Sequence, residues 1–283
     1  ILGGDVTGKV VVPIIEQSDG TFEADFFGSK RAAKNNKELR NLEKEIRDVG
    51  SYPYLTNMKE FQETRASEVK VNELFSRLMI ETVERWIRLA EERLGNSGVK
   101  CFITPGNDDQ LVIDSVLRKS NSVFNPEGTV ACLDDTHEMI STGYSNITPW
   151  KCPRDISEEE LATKIESMIY QVKVVDSCVF NFHCPPFDSG LDTAPQIDDS
   201  LRPVMKGGTQ MTIPAGSTAV RDAIEKSQPL LGLHGHIHES RAVAKLGRTY
   251  CFNPGSEYTE GILRGVLVDL DRKGLKRHIF TSG

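Results

Sequence analysis

The sequence contains no stretch of about 18 apolar residues that would span a bilayer, and no charged start followed by an apolar run of the kind that marks an export signal. Neither membrane association nor secretion is expected from it. It also lacks any cysteine framework. Cys101, Cys132, Cys152, Cys178, Cys184 and Cys251 are scattered, with no pair at metal-clip spacing, which argues against a disulfide scaffold and a zinc ribbon and fits a reducing cytoplasm. Basic charge is not in excess: 34 Lys and Arg face 41 Asp and Glu, a formal net charge of −7. Long-range attraction to nucleic acid is therefore not expected. No internal repeat or low-complexity tract is visible.

What is present reads as one elaborated α/β domain over residues 1–283, with a helical insertion at about 28–95. Apolar runs at 10–15 and 21–27 flank Asp19-Gly20 and predict a hairpin. Ser29 is placed to cap a helix running to about Asp48, with Leu39, Leu42 and Ile46 on one stripe, and Ser51-Tyr52-Pro53-Tyr54 reads as its breaker. A longer helix carries Val71, Leu74, Phe75, Leu78, Val83, Trp86, Ala90 and Leu94 at helical spacing, a face expected to pack on a sheet. Ile1-Leu2-Gly3-Gly4-Asp5 lacks an initiator Met and reads as the end of a strand already under way, so residues are expected upstream.

Further on, a strand at 100–104 leads into Pro105-Gly106-Asn107-Asp108-Asp109, and another is expected at 130–133. Ser157 and Glu160 have capping-box spacing and open a helix to about Gln171. A strand at 177–182 delivers His183. The loop 184–216 is long enough to suggest a substrate-side role, and a helix at 217–226 follows it. The strand 230–233 ends in His234-Gly235-His236-Ile237-His238, and strands at 249–252 and 263–269 close the domain and suggest a mixed sheet.

Ligands of open α/β sheets gather beyond the carboxyl ends of strands. Asp5, Asn107, His183, His236 and His238 all follow apolar strand runs. Imidazole, carboxylate and amide oxygen form a mixed donor set suited to Mn, Fe, Zn or Ni. Taken singly, Gly-His-x-His also reads as a surface turn, and a strand-end His as an ordinary hydrogen-bonded one. Four such blocks in one chain make a metal centre the better reading.

Gly4-Asp5-Val6-Thr7-Gly8, Gly106-Asn107-Asp108-Asp109, Phe182-His183 and Gly235-His236-Ile237-His238 stand in the order of the blocks of the calcineurin-like metallophosphoesterases, which this sequence resembles from Asp5 to His238. Asn253-Pro254-Gly255-Ser256 looks like a common sequel. The resemblance implies a layered β-sandwich flanked by helices and a site for two divalent metal ions. Asp5 would bridge the ions, Asn107, His183 and His236 would complete one ligand set, and His238 would join the other. The family's Asp-x-His block is absent from this chain and is expected upstream of Ile1. The implied reaction is attack of a metal-bound hydroxide on a phosphoester.

Asp108 stands where the family usually has a His that protonates the leaving group. A carboxyl beside divalent cations stays ionised, so diesters with good leaving groups are the expected substrates. Asp109, grouped with Asp108 as a catalytic candidate, reads either as an acceptor that orients a ligand or as a loop cap. His234 faces the site or the core, with the core favoured. Lys9 and Arg221 are phosphate contacts or, more simply, loop cations. Tyr144-Ser145-Asn146 and Thr148-Pro149-Trp150 would line a pocket or merely pack as loop. The expected activity is that of a cytoplasmic phosphodiesterase on a small phosphoester, with nucleic acid disfavoured and the oligomeric state not readable. A non-catalytic interaction scaffold and a nuclease of the same superfamily are the rival readings.

Overall fold

A computed structural model describes residues 1–271 and 274–283. It is a mixed α/β structure with several sheets and, among the described residues, six α-helices. The chain divides into two compact units, Thr7–Trp86 with Tyr258–Gly261, and Ile1–Val6 with Ile87–Glu257 and Ile262–Gly283, where the sequence reading treats it as one domain.

In the first of these units β1 (Val11–Glu16) and β2 (Phe22–Phe26) form the expected hairpin, and the Asp19 carboxylate takes the Thr21 backbone N–H at 3.0 Å in its turn. The chain does not enter a helix at Ser29. Instead β3 (Ser29–Ala33) pairs antiparallel with β2, and α1 (Asn36–Asp48) starts after Asn35. The Asn35 side-chain oxygen accepts from the N–H groups of Lys37 and Glu38, and Glu38 accepts in return from Lys34 N–H, so helix-end donors that Ser29 was expected to serve are satisfied six residues later. Leu39, Leu42 and Ile46 bury their stripe against Val12, Ile14, Phe22, Ala24 and Phe26.

Tyr52-Pro53-Tyr54 is not a breaker but the start of β4 (Tyr52–Asn57), which runs parallel to β1 at the edge of the sheet β3-β2-β1-β4, a position where proline is tolerated. The region expected as a helical insertion thus supplies strands as well as helices. After α2 (Met58–Arg65), the long α3 (Glu68–Leu94) buries Met79, Val83 and Ile87, while Val71 and Trp86 of its expected packing face remain exposed.

The second unit carries β5 (Cys101–Phe102), α4 (Val112–Leu117) and β6 (Val123–Phe124), with β5 and β6 parallel. Leu2 lies alongside β5, donating to Phe102 O at 2.8 Å and accepting from Thr104 N–H at 3.0 Å. Next come β7 (Val130–Cys132), β8 (Glu138–Thr142), the short pair β9 (Ser145–Asn146) and β10 (Asp155–Ile156), α5 (Glu158–Ile169) opening in the expected capping box, and β11 (Cys178–Phe182). The long loop is an arm made of β12 (Thr193–Pro195), β13 (Met205–Lys206), β14 (Thr209–Gln210) and β15 (Thr212–Pro214). At its root, Asp192 is buried and its carboxylate accepts from the backbone N–H groups of Asp188, Ser189 and Gly216.

Helix α6 (Thr218–Ser227), β16 (Leu231–Leu233), β17 (Ala242–Leu246), β18 (Thr249–Asn253) and the hairpin β19 (Arg264–Asp271) and β20 (Gly274–Ser282) complete this unit. The main sheet runs β17-β18-β16-β11-β8-β7, parallel through β18, β16, β11 and β8 with antiparallel edges. Strand β11 is buried on both faces. Phe180 and Phe182 pack with Leu161, Ile165, Val220 and Ile224, whereas Val179 joins Phe102, Met139, Leu231 and Phe252 beneath Val266, Val268 and Phe280 of the closing hairpin, as a two-residue repeat requires. Burying each Phe stabilises the fold by about 2 to 3 kcal/mol. Among the described residues no helix is long and apolar enough to cross a membrane.

Candidate metal centre

The carboxyl ends of β11 and β16, the turn at Gly4-Asp5 and the loop at 105–109 bring Asp5, His183 and His236 together, each offering one ligand atom within 4.8 Å of the others. Asn107 joins them: its Oδ1 lies 3.2 Å from His183 Nε2 and 3.1 Å from His236 Nδ1. Four of the five sequence-proposed ligands therefore converge on one point. His238 is not in that group, although its charge is felt by His236.

Two of these residues hold backbone conformations that L-residues avoid, Asp5 with φ 48° and His236 with φ 65°. Each costs on the order of 1 kcal/mol or more, and such strain persists only where neighbours over-determine it. Asp5 is fixed from three sides. A Cβ on Gly4 would collide with the His183 ring, a Cβ on Gly106 would collide with Asp5 itself, and the Asp108 N–H donates to Asp5 Oδ1 at 3.1 Å. His236 is bracketed by Asn253, whose side-chain amide donates to the carbonyls of Gly235 at 3.2 Å and Ile237 at 2.9 Å. That is the physical role of the Asn in Asn253-Pro254-Gly255-Ser256.

The His183 tautomer follows from its partners. Nδ1 faces the Gly3 carbonyl at 2.9 Å, an acceptor only, so Nδ1 carries the proton and Nε2 turns toward the cluster, 3.3 Å from Asp5 Oδ2. Burial, the largest influence, disfavours the imidazolium, but the charge and hydrogen bond of Asp5, with help from Gly3 and Asp109, hold His183 above the ordinary histidine range. His236 goes the other way, pushed down to about 3 by burial and then by neighbouring His183. His183 is drawn to the Asp5 carboxylate and His236 is kept neutral, and both imidazoles face one carboxylate and one amide oxygen. A divalent cation fits this set, because such ions take neutral imidazole, carboxylate and carbonyl-type oxygen.

The neighbouring candidates separate clearly. Asp108 is half-buried. Asp109 is fully buried and its Oδ2 accepts from Val6 N–H at 3.0 Å and Gly106 N–H at 2.6 Å, so it ties the Asp5 turn to the Asn107 loop. Both amides belong to the turns that carry Asp5 and Asn107, an arrangement in which an acceptor orients those two side chains. His234 belongs to the core: Nδ1 reaches the carbonyls of Phe182 and Cys184, Nε2 has no hydrogen-bond partner among the described residues, and burial pushes its pKa down to about 4. Arg221 donates to the carbonyls of Phe187 and Asp188 and to Glu225, holding the arm rather than an anion. Lys9 is exposed. In the 144–150 loop Ser145 Oγ approaches His236 Nε2 at 3.5 Å, whereas Trp150 is exposed and Tyr144 stacks under Lys164.

Sequence reasoning missed Arg154 and Asp155. Asp155 Oδ1 accepts from Asn107 Nδ2 at 2.9 Å, and the Arg154 backbone N–H donates to Asn107 O at 3.0 Å. The Arg154 side chain is almost wholly buried, donating to Asp109 O at 3.2 Å and pairing with Asp114 at 2.7 Å. The only local hint was their place just before a capping box.

No family model matches the chain. It is similar to the uncharacterized protein MJ1162 of Methanocaldococcus jannaschii, 26% identical over 178 residues that cover 62% of this chain and 70% of that protein. Among solved structures, one crystal structure aligns over 96% of this chain and 97% of its own at 17% identity with a TM-score of 0.51, and the chain shares its mixed α/β fold. TT1561 of Thermus thermophilus aligns over 72% of this chain and 79% of its own at 16% identity with a TM-score of 0.47.

Proposed function

We propose that this protein is a metal-dependent phosphoesterase of the calcineurin-like kind, acting on phosphodiesters, and that its finer architecture is the layered β-sandwich of that family. One observation carries the reading: Asp5, His183 and His236 present ligand atoms within 4.8 Å of one another, with Asn107 Oδ1 between the two imidazoles. These four residues hold a divalent ion, and Asp5 and His238 are this chain's donors toward a second. When bound, such ions lower the pKa of water and draw charge from phosphoryl oxygens.

The chain's own groups supply placement. Asp5 and His236 are locked in strained turns, so their donors need no reorganisation when a phosphoester binds. Asp108, next to Asn107 and hydrogen-bonded through its N–H to Asp5, stands where the family usually has a histidine, so this position offers no imidazole to protonate a departing alkoxide. Leaving groups that are stable as anions are therefore favoured, and aryl phosphodiesters are cleaved in preference to alkyl monoesters.

The test is a manganese titration by calorimetry, followed by steady-state assays on an aryl diester and an alkyl monoester. Binding that vanishes in His183→Ala, with diester turnover at least about tenfold above monoester turnover, is expected from a lost ligand and a missing acid. Metal binding without hydrolysis of either ester would leave a non-catalytic platform on this fold, and no metal binding would remove the proposal altogether.

A further inference from the structure

Asn107 is a neutral ligand whose usefulness depends on which way its amide points, because Oδ1 binds a cation and the Nδ2 amino group repels it. Nothing in its own covalent structure chooses between the two, and a flip exchanges them at almost no steric cost. The choice is made by Asp155. Its Oδ1 faces Asn107 Nδ2 at 2.9 Å, and a carboxylate, being an acceptor only, must be met by the amino group.

Asp155 is itself immobilised. Its Oδ2 accepts from Thr148 N–H at 2.9 Å, Thr148 Oγ1 at 2.5 Å and Cys152 N–H at 2.9 Å, so the 148–152 turn wraps one oxygen and leaves the other for Asn107. The main chain repeats the arrangement: Arg154 N–H donates to Asn107 O, and the Arg154 guanidinium donates to Asp109 O, on the same loop. Residues 154 and 155 therefore grip the ligand loop from behind at both backbone and side chain.

We infer that Asp155 is a positioning residue that fixes the Asn107 amide with its oxygen turned into the metal centre. The inference rests on reading that cluster as a metal site. Its distinctive consequence is a reversal of polarity. In Asp155→Asn the new carbonyl oxygen replaces Oδ2 against Thr148 and Cys152, which keeps the turn intact, but the new amino group faces the amino group of Asn107. Asn107 then rotates, presenting Nδ2 to the cation. Adding Asn107→Asp restores complementarity, because a carboxylate accepts from the new amide with one oxygen and offers the other to the metal.

The experiment compares wild type, D155N and N107D/D155N by manganese titration, by melting of the metal-free proteins, and by the Asn107 side-chain amide resonance in metal-free wild type and D155N. D155N is expected to lose at least about tenfold in manganese affinity with a near-native melting temperature, and the double variant to recover to within about threefold of wild type. Unchanged affinity in D155N, with wild type binding the metal, overturns the inference. So does a D155N protein that is unfolded or strongly destabilised and is not rescued by N107D, which would assign Asp155 to the fold alone. If wild type binds no manganese, the phosphoesterase reading fails. A shifted, less protected Asn107 amide in D155N would then still uphold the positioning role, and an unshifted one would overturn it.

Discussion

The sheet packed on α1 and the cluster around His183 bury their residues on opposite principles. In the first, the buried side chains Val12, Ile14, Phe22, Phe26, Leu42 and Ile46 are all apolar, and their gain comes from leaving water. Around the second, Asn107, Asp109, Arg154, His183, His234 and Asn253 are buried polar groups, each a cost unless hydrogen-bonded. The first region makes stability out of a repeating pattern. The second spends stability on fixed donors and strained turns, and its order depends on hydrogen bonds between specific pairs.

The sharpest way to break that contrast is to damage the apolar region and ask whether the polar one notices. Ile46→Ala removes a fully buried side chain and is expected to cost roughly 3 to 4 kcal/mol in denaturant unfolding. Manganese affinity of the folded fraction should remain within about twofold of wild type, since Ile46 touches no ligand. A large affinity loss would show that the two regions are energetically one.

Acid probes the other side. His234 is neutral in the native state, with its pKa pushed down to about 4 by burial, whereas in the unfolded chain it titrates near about 6.5. Above that pH both states are neutral and its contribution to stability is constant. As pH falls from about 6.5 toward 4 only the unfolded chain takes up the proton, so metal-free protein loses about 3 kcal/mol over that window from this residue, levelling off below it. His234→Asn, which keeps a donor for the Phe182 and Cys184 carbonyls, should flatten this part of the curve in chemical unfolding measured across pH. An unaltered acid limb would assign it to other groups.

The smallest effect sharpens the contrast from the apolar side. Asn35→Ala removes the α1 cap and should cost about 1 kcal/mol by thermal unfolding without altering metal binding.

What was legible in the sequence follows the same division. The strand-end residues could be read because each block is local: an apolar run, then Asn107, His183 or Gly235-His236. Helix α1 began at Asn35 instead of Ser29 because both residues are good caps, and pairing of 29–33 with β2 decides between them. That is a tertiary choice no short window contains. Strand β8 passed unnoticed, since Glu138–Thr142 has little hydrophobic signal although it is paired on both sides within the sheet. Asp155 was invisible for a related reason: its partner is 48 residues away, and an Asp before a capping box looks like any loop acid. Orientation of a ligand is a property of pairs, and one sequence displays only members.

The arm between Pro186 and Ser217 has a practical corollary. Asp192 staples its root, and the root, through Cys184, is what continues from His183. The tip at Gly207-Gly208, between β13 and β14, lies beyond the reach of that staple. A foreign peptide spliced there would ride on the molecule as cargo, giving a handle for fluorophores or affinity tags that leaves the ligand-bearing turns undisturbed.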